Sequence, residues 1–221
     1  MSPEIIRLIV QSTFDTLYMV AMAAGFGTLI GLPLGIFLAT GGRGELFPAP
    51  ALKTALGFAA NATRSTPFII LVVAIIPFTR LIAGTSIGTT AAIVPLTVAA
   101  IPFIARLIEG AIREVDYGLV EAARAMGATP LQIVRKVLIP EALPGIVLAL
   151  TLALVNLIGF SAIVGVVGGG GLGDLGIRYG YQRFMPDVMA AVVIVLIVLV
   201  QSVQSIGDRL SRRLNKRLPQ N

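Results

Sequence analysis

Five stretches of this chain are nearly free of charge over the length of a bilayer crossing, and they constrain its fold more than any other feature. The cleanest has no charged residue between Asp15 and Arg43. A helix needs roughly 20 apolar residues to cross ~30 Å of hydrocarbon. Spans are expected at about residues 17–40, 58–78, 81–105, 144–164 and 188–206. Apolar residues make up 56% of the chain and charged residues 13%, against about 25% charged in a soluble domain. A mean hydropathy of +0.93 excludes an ordinary solvated globule. The expected fold is an all-α membrane protein of five transmembrane helices.

The spans differ in character. The first carries Gly25, Gly27, Gly31 and Gly35, small residues that let another helix approach closely. The second contains Arg64, which is expected at or near an interface. There it either snorkels to the headgroups or faces a water-filled pathway. A tight reversal at Gly84-Thr85-Ser86 leads to the third, which holds Pro95 and Pro102. The fourth ends in the run from Gly165 to Gly173, too rich in glycine to stay helical. That run is read as an outside or partly re-entrant loop, serving as a mobile connection or as a gate. Within the fourth span Asn156 and Ser161 are polar, with Ile163 just beyond. They line a translocation path or hydrogen-bond between helices.

Several functions are excluded by residue types that are missing. The chain has no Cys, His or Trp. The common zinc and haem sites and His-dependent triads are therefore unavailable, and no metal site is expected. A membrane hydrolase would need a base near a nucleophile, yet Lys53, Lys136 and Lys216 all lie outside the spans. Secondary transporters place ionisable groups in the midplane, where only Arg64 comes near. The net charge of +6 comes without stacking aromatics, so no nucleic acid is expected. No G-x-x-x-x-G-K-[ST] phosphate loop occurs. The first apolar run is too long and too far in for a cleavable signal and is expected to persist in the mature protein.

Orientation follows from Lys and Arg in short loops. Arg43, Lys53, Arg106, Arg113, Arg124, Arg135, Lys136, Arg209, Arg212, Arg213, Lys216 and Arg217 fall on one side of a five-span arrangement, against Arg7, Arg80, Arg178 and Arg183 on the other. Residues 1–16 are thus expected outside, and residues 208–221 form a basic cytoplasmic tail.

The segment 106–143 is the one long charged stretch between spans. Asp116 can cap a helix over about Tyr117 to Met126, and Gly127 stands where a left-handed residue would end it. Thr129, Pro130 and Gln132 make a capping box with Pro at the first turn. The second helix should stop before Pro140, which lacks a donor. Glu121 and Arg124 lie three apart on one helical face. Two rigid helices meeting at Gly127 make a lever, with Ala122, Ala123 and Ala125 keeping the first slim.

The spacing Glu121-Ala122-Ala123, then Gly127, then Val137-Leu138-Ile139-Pro140 resembles the EAA loop of ABC importer permeases. Val137 and Ile139 stand where that family usually has Ile and Leu. Further stretches resemble the membrane subunit of bacterial methionine ABC importers. They are Asn61-x-x-Arg64-Ser65-x-Pro67-Phe68, Pro77-Phe78-Thr79-Arg80, Gly84-Thr85-Ser86-Ile87-Gly88 and Gly170-Gly171-Leu172-Gly173. The resemblance implies a homodimer in the bacterial cytoplasmic membrane, with two cytoplasmic ATPase subunits and a periplasmic or lipoprotein methionine-binding protein. It implies import of methionine, L and D, by alternating access. No cofactor is implied in this chain, ATP being bound by the partner subunit. It gives Glu121, Ala122, Ala123, Arg124 and Gly127 the role of ATPase coupling. Arg64, Asn156, Ser161 and Ile163 are the candidates for path or gate. Permeases for another small amino acid or polar solute share much of the pattern.

Overall fold

The computed structural model describes residues 2–215, and all regular structure among them is helical. Helix α1 (Pro3–Thr40) is followed by α2 (Pro50–Ser65), α3 (Phe68–Ala74), α4 (Ile76–Ala83) and α5 (Thr89–Arg113). Then come α6 (Tyr117–Ala125), α7 (Pro130–Ile133), α8 (Ile139–Val166), α9 (Gly171–Leu175) and α10 (Pro186–Leu214). Among the described residues, α1, α5, the stretch Pro130–Val166 and α10 are long and apolar enough to cross a membrane, and the bent pair α2–α3 would make a fifth crossing. The chain is an all-helical membrane protein.

Helix boundaries move outward from those expected. Ser2 caps α1, accepting from the Ile5 amide, with Pro3 in the first turn. Residues 3–16 therefore continue the first span as helix, and α1 runs 38 residues, about 57 Å at 1.5 Å per residue. Asp15 ends the apolar run without ending the helix, because one charged side chain leaves the backbone ladder intact. Helix α10 likewise starts at Pro186 and carries the basic segment on to Leu214. Lys216 and Arg217 lie outside the described residues.

The second span is not the continuous helix expected over 58–78. Pro67 disfavours helical backbone in the residue before it, and Thr66 is extended, with ψ 125°. The chain bends by 104° between α2 and α3. The third span is also displaced, from 81–105 to Thr89–Arg113. Gly84, at φ +73°, caps α4, and Gly88, at φ +97°, precedes α5. Hydropathy cannot see that boundary, because Leu81, Ile82 and Ile87 on both sides of it are apolar.

The α1–α5 seam forms the core. An added Cβ at Gly27 would fall 2.7 Å from the Ala100 Cβ, and one at Gly31 would fall 3.0 Å from the Ile101 oxygen. At Gly35 it would meet the Ala105 oxygen at 2.5 Å. The first-span glycines therefore pack against α5 of their own chain. Gly25 takes no part, with nothing within 4 Å of its Cβ position. Met19, Ala23, Leu96, Ile104 and Ile108 are fully buried along this seam.

The glycine run past α8 is a packed return, not a loose outside loop. Gly168, Gly170 and Gly171 all have positive φ, folding α9 back onto the end of α8. A Cβ at Gly165 would lie 2.3 Å from the Asp174 nitrogen, and one at Gly173 would lie 2.4 Å from the Ala162 oxygen. The Leu172 amide donates to Thr16 Oγ1 at 2.9 Å, and the Gly88 amide donates to the Gly168 carbonyl at 2.9 Å. Leu172 itself is fully buried. Backbone groups inside hydrocarbon must find partners within the protein, and these bonds supply some of them.

The seam separates two alanine substitutions. Gly35→Ala should destabilise the protein by about 1–3 kcal/mol through overpacking. Gly25→Ala should be neutral or stabilising by up to about 1 kcal/mol, since Ala is the better helix former. Thermal unfolding of both variants in the same detergent checks the order, and equal midpoints would remove the seam argument.

Candidate functional site: the coupling corner and the arginine cleft

The corner between α6 and α7 is built from local chemistry. Asp116 Oδ1 accepts from the Gly118 amide at 2.8 Å and starts α6. Its end is a Schellman motif: the Ala128 amide donates to the Ala123 carbonyl at 3.1 Å, and the Gly127 amide to Arg124 at 2.9 Å. Gly127 has φ +78°, a conformation Gly adopts without steric cost. Thr129 and Gln132 form the reciprocal capping box, with bonds of 2.9 and 3.4 Å.

Pro140 does not end the second helix. A π-helical turn, Val134–Leu138, joins α7 to α8, and the Ile139 amide donates five residues back to Val134. The wider π pattern brings Pro140 into the first turn of α8, where its missing donor has no consequence. The fourth span and the second loop helix are therefore one rod, Pro130–Val166, in place of the separate 144–164 expected. Likewise 106–113 belongs to α5, leaving the true connection shorter than 106–143. A push on the corner thus enters two helices that run into the core.

Side chains at the corner sort into an anchored and a free face. Val120, Ala123, Ile133, Val134 and Leu138 are buried. Glu121, Ala122, Arg124 and Gly127 are exposed. Glu121 and Arg124 form no ion pair with each other; Arg124 Nη2 instead donates to the Gly44 carbonyl at 3.4 Å, in the connection after α1. Met126 is 81% exposed, and Tyr117 and Leu131 are nearly 60% exposed. Sequence reasoning passed over these three. Their signal was present: large apolar residues in an otherwise polar hairpin mark a contact surface.

A buried charge cluster sits where α5 nears this corner. Glu109 is 7% exposed and accepts Arg106 Nη1 at 2.6 Å and Arg113 Nη2 at 2.8 Å. Arg106 Nη2 also donates to the Gly57 carbonyl of α2 at 2.7 Å. Arg106 is the partner that keeps the buried Glu109 charge compensated, whereas Arg113 is more than half exposed and contributes less. The bond to Gly57 joins the α5 base to the helix that carries Arg64.

Arg64 is exposed near the end of α2 and lies beside α5. Its guanidinium carbon is 5.8 Å from the centre of the Phe103 ring. Phe103 stands 14 residues after Thr89 and 10 before Arg113, about 21 and 15 Å from the two ends of α5. The bend at Pro67 tips α3 aside, so that α2 ends just past Arg64, at Ser65. Arg64 and Asn156 face one cleft of about 170 Å³, also lined by Thr63, Thr66, Phe68 and Phe160. The Phe68 and Phe160 rings stack at 4.1 Å between centroids. Ser161 is elsewhere: it is buried, and its hydroxyl donates to the Ile158 carbonyl of its own helix at 2.7 Å. Ile163 is half-buried against the main core and does not line the cleft.

Residues 31–217 match the family described as binding-protein-dependent transport system inner membrane component. The chain belongs to this family. It is 58% identical over 210 residues to a probable D-methionine transport system permease protein MetI of Vibrio cholerae, covering 95% of this chain and 93% of that one. It is 53% identical over 165 residues to the D-methionine transport system permease protein MetI of Escherichia coli K12, covering 75% and 76%. A chain of the MetNI methionine ABC transporter, crystallised in inward-facing conformations, superposes with a TM-score of 0.96 at 50% identity. That match covers 98% of this chain and all of the other. An amino acid ABC transporter at 22% identity shares the fold, with a TM-score of 0.79. The chain is a transmembrane permease subunit and not itself an ATPase.

The Gly127 conformation gives a direct test of the corner. A Cβ there would meet nothing within 4 Å, so a substitution costs backbone strain alone, about 1–3 kcal/mol. Gly127→Val should reach the membrane yet lower solute uptake per ATP hydrolysed by the assembled importer. Gly127→Asn, tolerated in left-handed backbone, should retain most of it. Equal uptake per ATP by Gly127→Val and wild type would contradict the lever.

Proposed function

We propose that this chain forms half of the membrane path of an ATP-driven importer that carries methionine, in both enantiomers, into a bacterial cell. The observation that carries the substrate is the 58% identity, over nearly the whole chain, to a protein named for D-methionine transport. The bent α2–α3 pair counts as a crossing in this reading, giving five spans. The N-terminus lies outside and the basic end of α10 in the cytoplasm, in agreement with the Lys and Arg distribution. The corner at Gly127 then faces the cytoplasm, where the exposed Met126, Tyr117, Leu131 and Glu121 meet an ATPase subunit. Two ATPases and an external binding protein complete the assembly.

A second copy of the chain follows from the position of Arg64. Arg64 is exposed within the second span, and an Arg within a span faces water or protein in place of lipid. The face that bears it is therefore proposed to line the pathway, closed by the same face of a second copy around a two-fold axis. Arg64 and Asn156 line the path in this reading, and Ser161 and Ile163 support it from behind. Gly27, Gly31 and Gly35 are used within the chain and lend the dimer no support.

Vesicles holding this chain, its ATPase and the binding protein should accumulate methionine only when ATP is supplied on the ATPase side. ATP-driven uptake of another solute, with no response to methionine, would overturn the substrate. Methionine uptake by this chain without any ATPase would overturn the mechanism.

A further inference from the structure

We infer that the cleft between α2, α5 and α8 is a stopping point for the transported amino acid. Arg64 holds its carboxylate, Asn156 meets its polar backbone end, and the Phe68–Phe160 pair receives its side chain. The inference rests on the path reading above and adds a ligand to it. Arg64 has five N–H donors, and among the described residues its only contact of note is the face of Phe103. Among the described residues no carboxylate pairs with it, the ion pairs there being those of Lys53, Arg106, Arg113 and Arg178. The Asn156 amide likewise finds no partner among the described residues. Arg64 is exposed and Asn156 half-buried, so both polar groups are open to a ligand that enters the cleft.

The cleft's chemistry selects the ligand. A guanidinium recognises a carboxylate with geometry as well as charge, and here it lies against aromatic walls that suit an apolar side chain. At about 170 Å³ the cleft is smaller than a site for a drug-sized molecule and suits a single small amino acid. The competing role is a bolt, in which Arg64 binds a carbonyl or carboxylate of the second copy. A bolt needs no free ligand.

The natural absence of cysteine supplies the test. Thr63→Cys places one thiol in this chain on the cleft wall. The complex with its ATPase, in nanodiscs, is treated with a charged, water-soluble maleimide, and alkylation of this chain is followed by mass spectrometry. Alkylation is expected. Methionine should slow it, and methioninol, which lacks the carboxylate, should not. Adding Arg64→Ala should raise the methionine concentration for half-protection about 10- to 100-fold, the loss of one charged hydrogen bond. Arg64→Lys, which keeps the charge, should raise it less. No alkylation overturns the path reading itself. Alkylation with equal protection by methionine and methioninol, or with none by either, overturns the carboxylate site and leaves the path.

Discussion

The close approach of α1 to α5 at Gly27, Gly31 and Gly35 sets the position of everything that matters for transport. In lipid there is little hydrophobic drive between helices, so association rests on van der Waals contact and hydrogen bonds. Bare backbone on one side and Ala100, Ile104 and Ile108 on the other give that contact over two turns. Helix α5 is thereby held as a fixed beam. Its ends and flanks then carry three separate features: the Glu109 cluster near the corner, Phe103 under Arg64, and the Gly88–Gly168 bond at the far end.

The coupling corner extends this beam. Helix α6 follows α5 after the short connection capped by Asp116, and α7 runs through a π-helical turn into α8. The corner between α6 and α7 is closed by a Schellman motif and a capping box, and the α7–α8 junction by the π-helical turn. Arg106 ties the same region to α2 through the Gly57 carbonyl. A displacement at Gly127 therefore has a continuous route to Arg64 through packed helices and one charged bond. Such a route is a physical link, and coupling along it requires that the bundle have two arrangements.

Local chemistry was the part most legible in the sequence. The caps at Asp116 and Thr129 and the turn at Gly127 form as their residue types dictate, because each depends on neighbours within a few positions. The class of the fold was legible too, since apolar run length is set by bilayer thickness. Positions that depend on distant contacts were not. Pro67 was visible, but a 104° bend requires knowing what α3 packs against. Pro140 read as a stop because the π-helical detour has no pattern of its own. The glycines after Val164 read as a loop because composition cannot distinguish a mobile glycine from one that lets backbone touch backbone, as at Gly165 and Gly173. For the same reason the Glu121–Arg124 pair suggested by helical spacing gave way to a bond from Arg124 to Gly44.

The central claim is that events at the corner reach the Arg64 face. It is tested most directly by electron paramagnetic resonance distances between spin labels at Asn61→Cys on α2, one in each copy of the assembled importer. Binding of a non-hydrolysable ATP analogue should shift the interspin distance distribution, and Gly127→Val should suppress that shift while nucleotide still binds. Identical distributions with and without nucleotide in the unaltered corner would contradict the account.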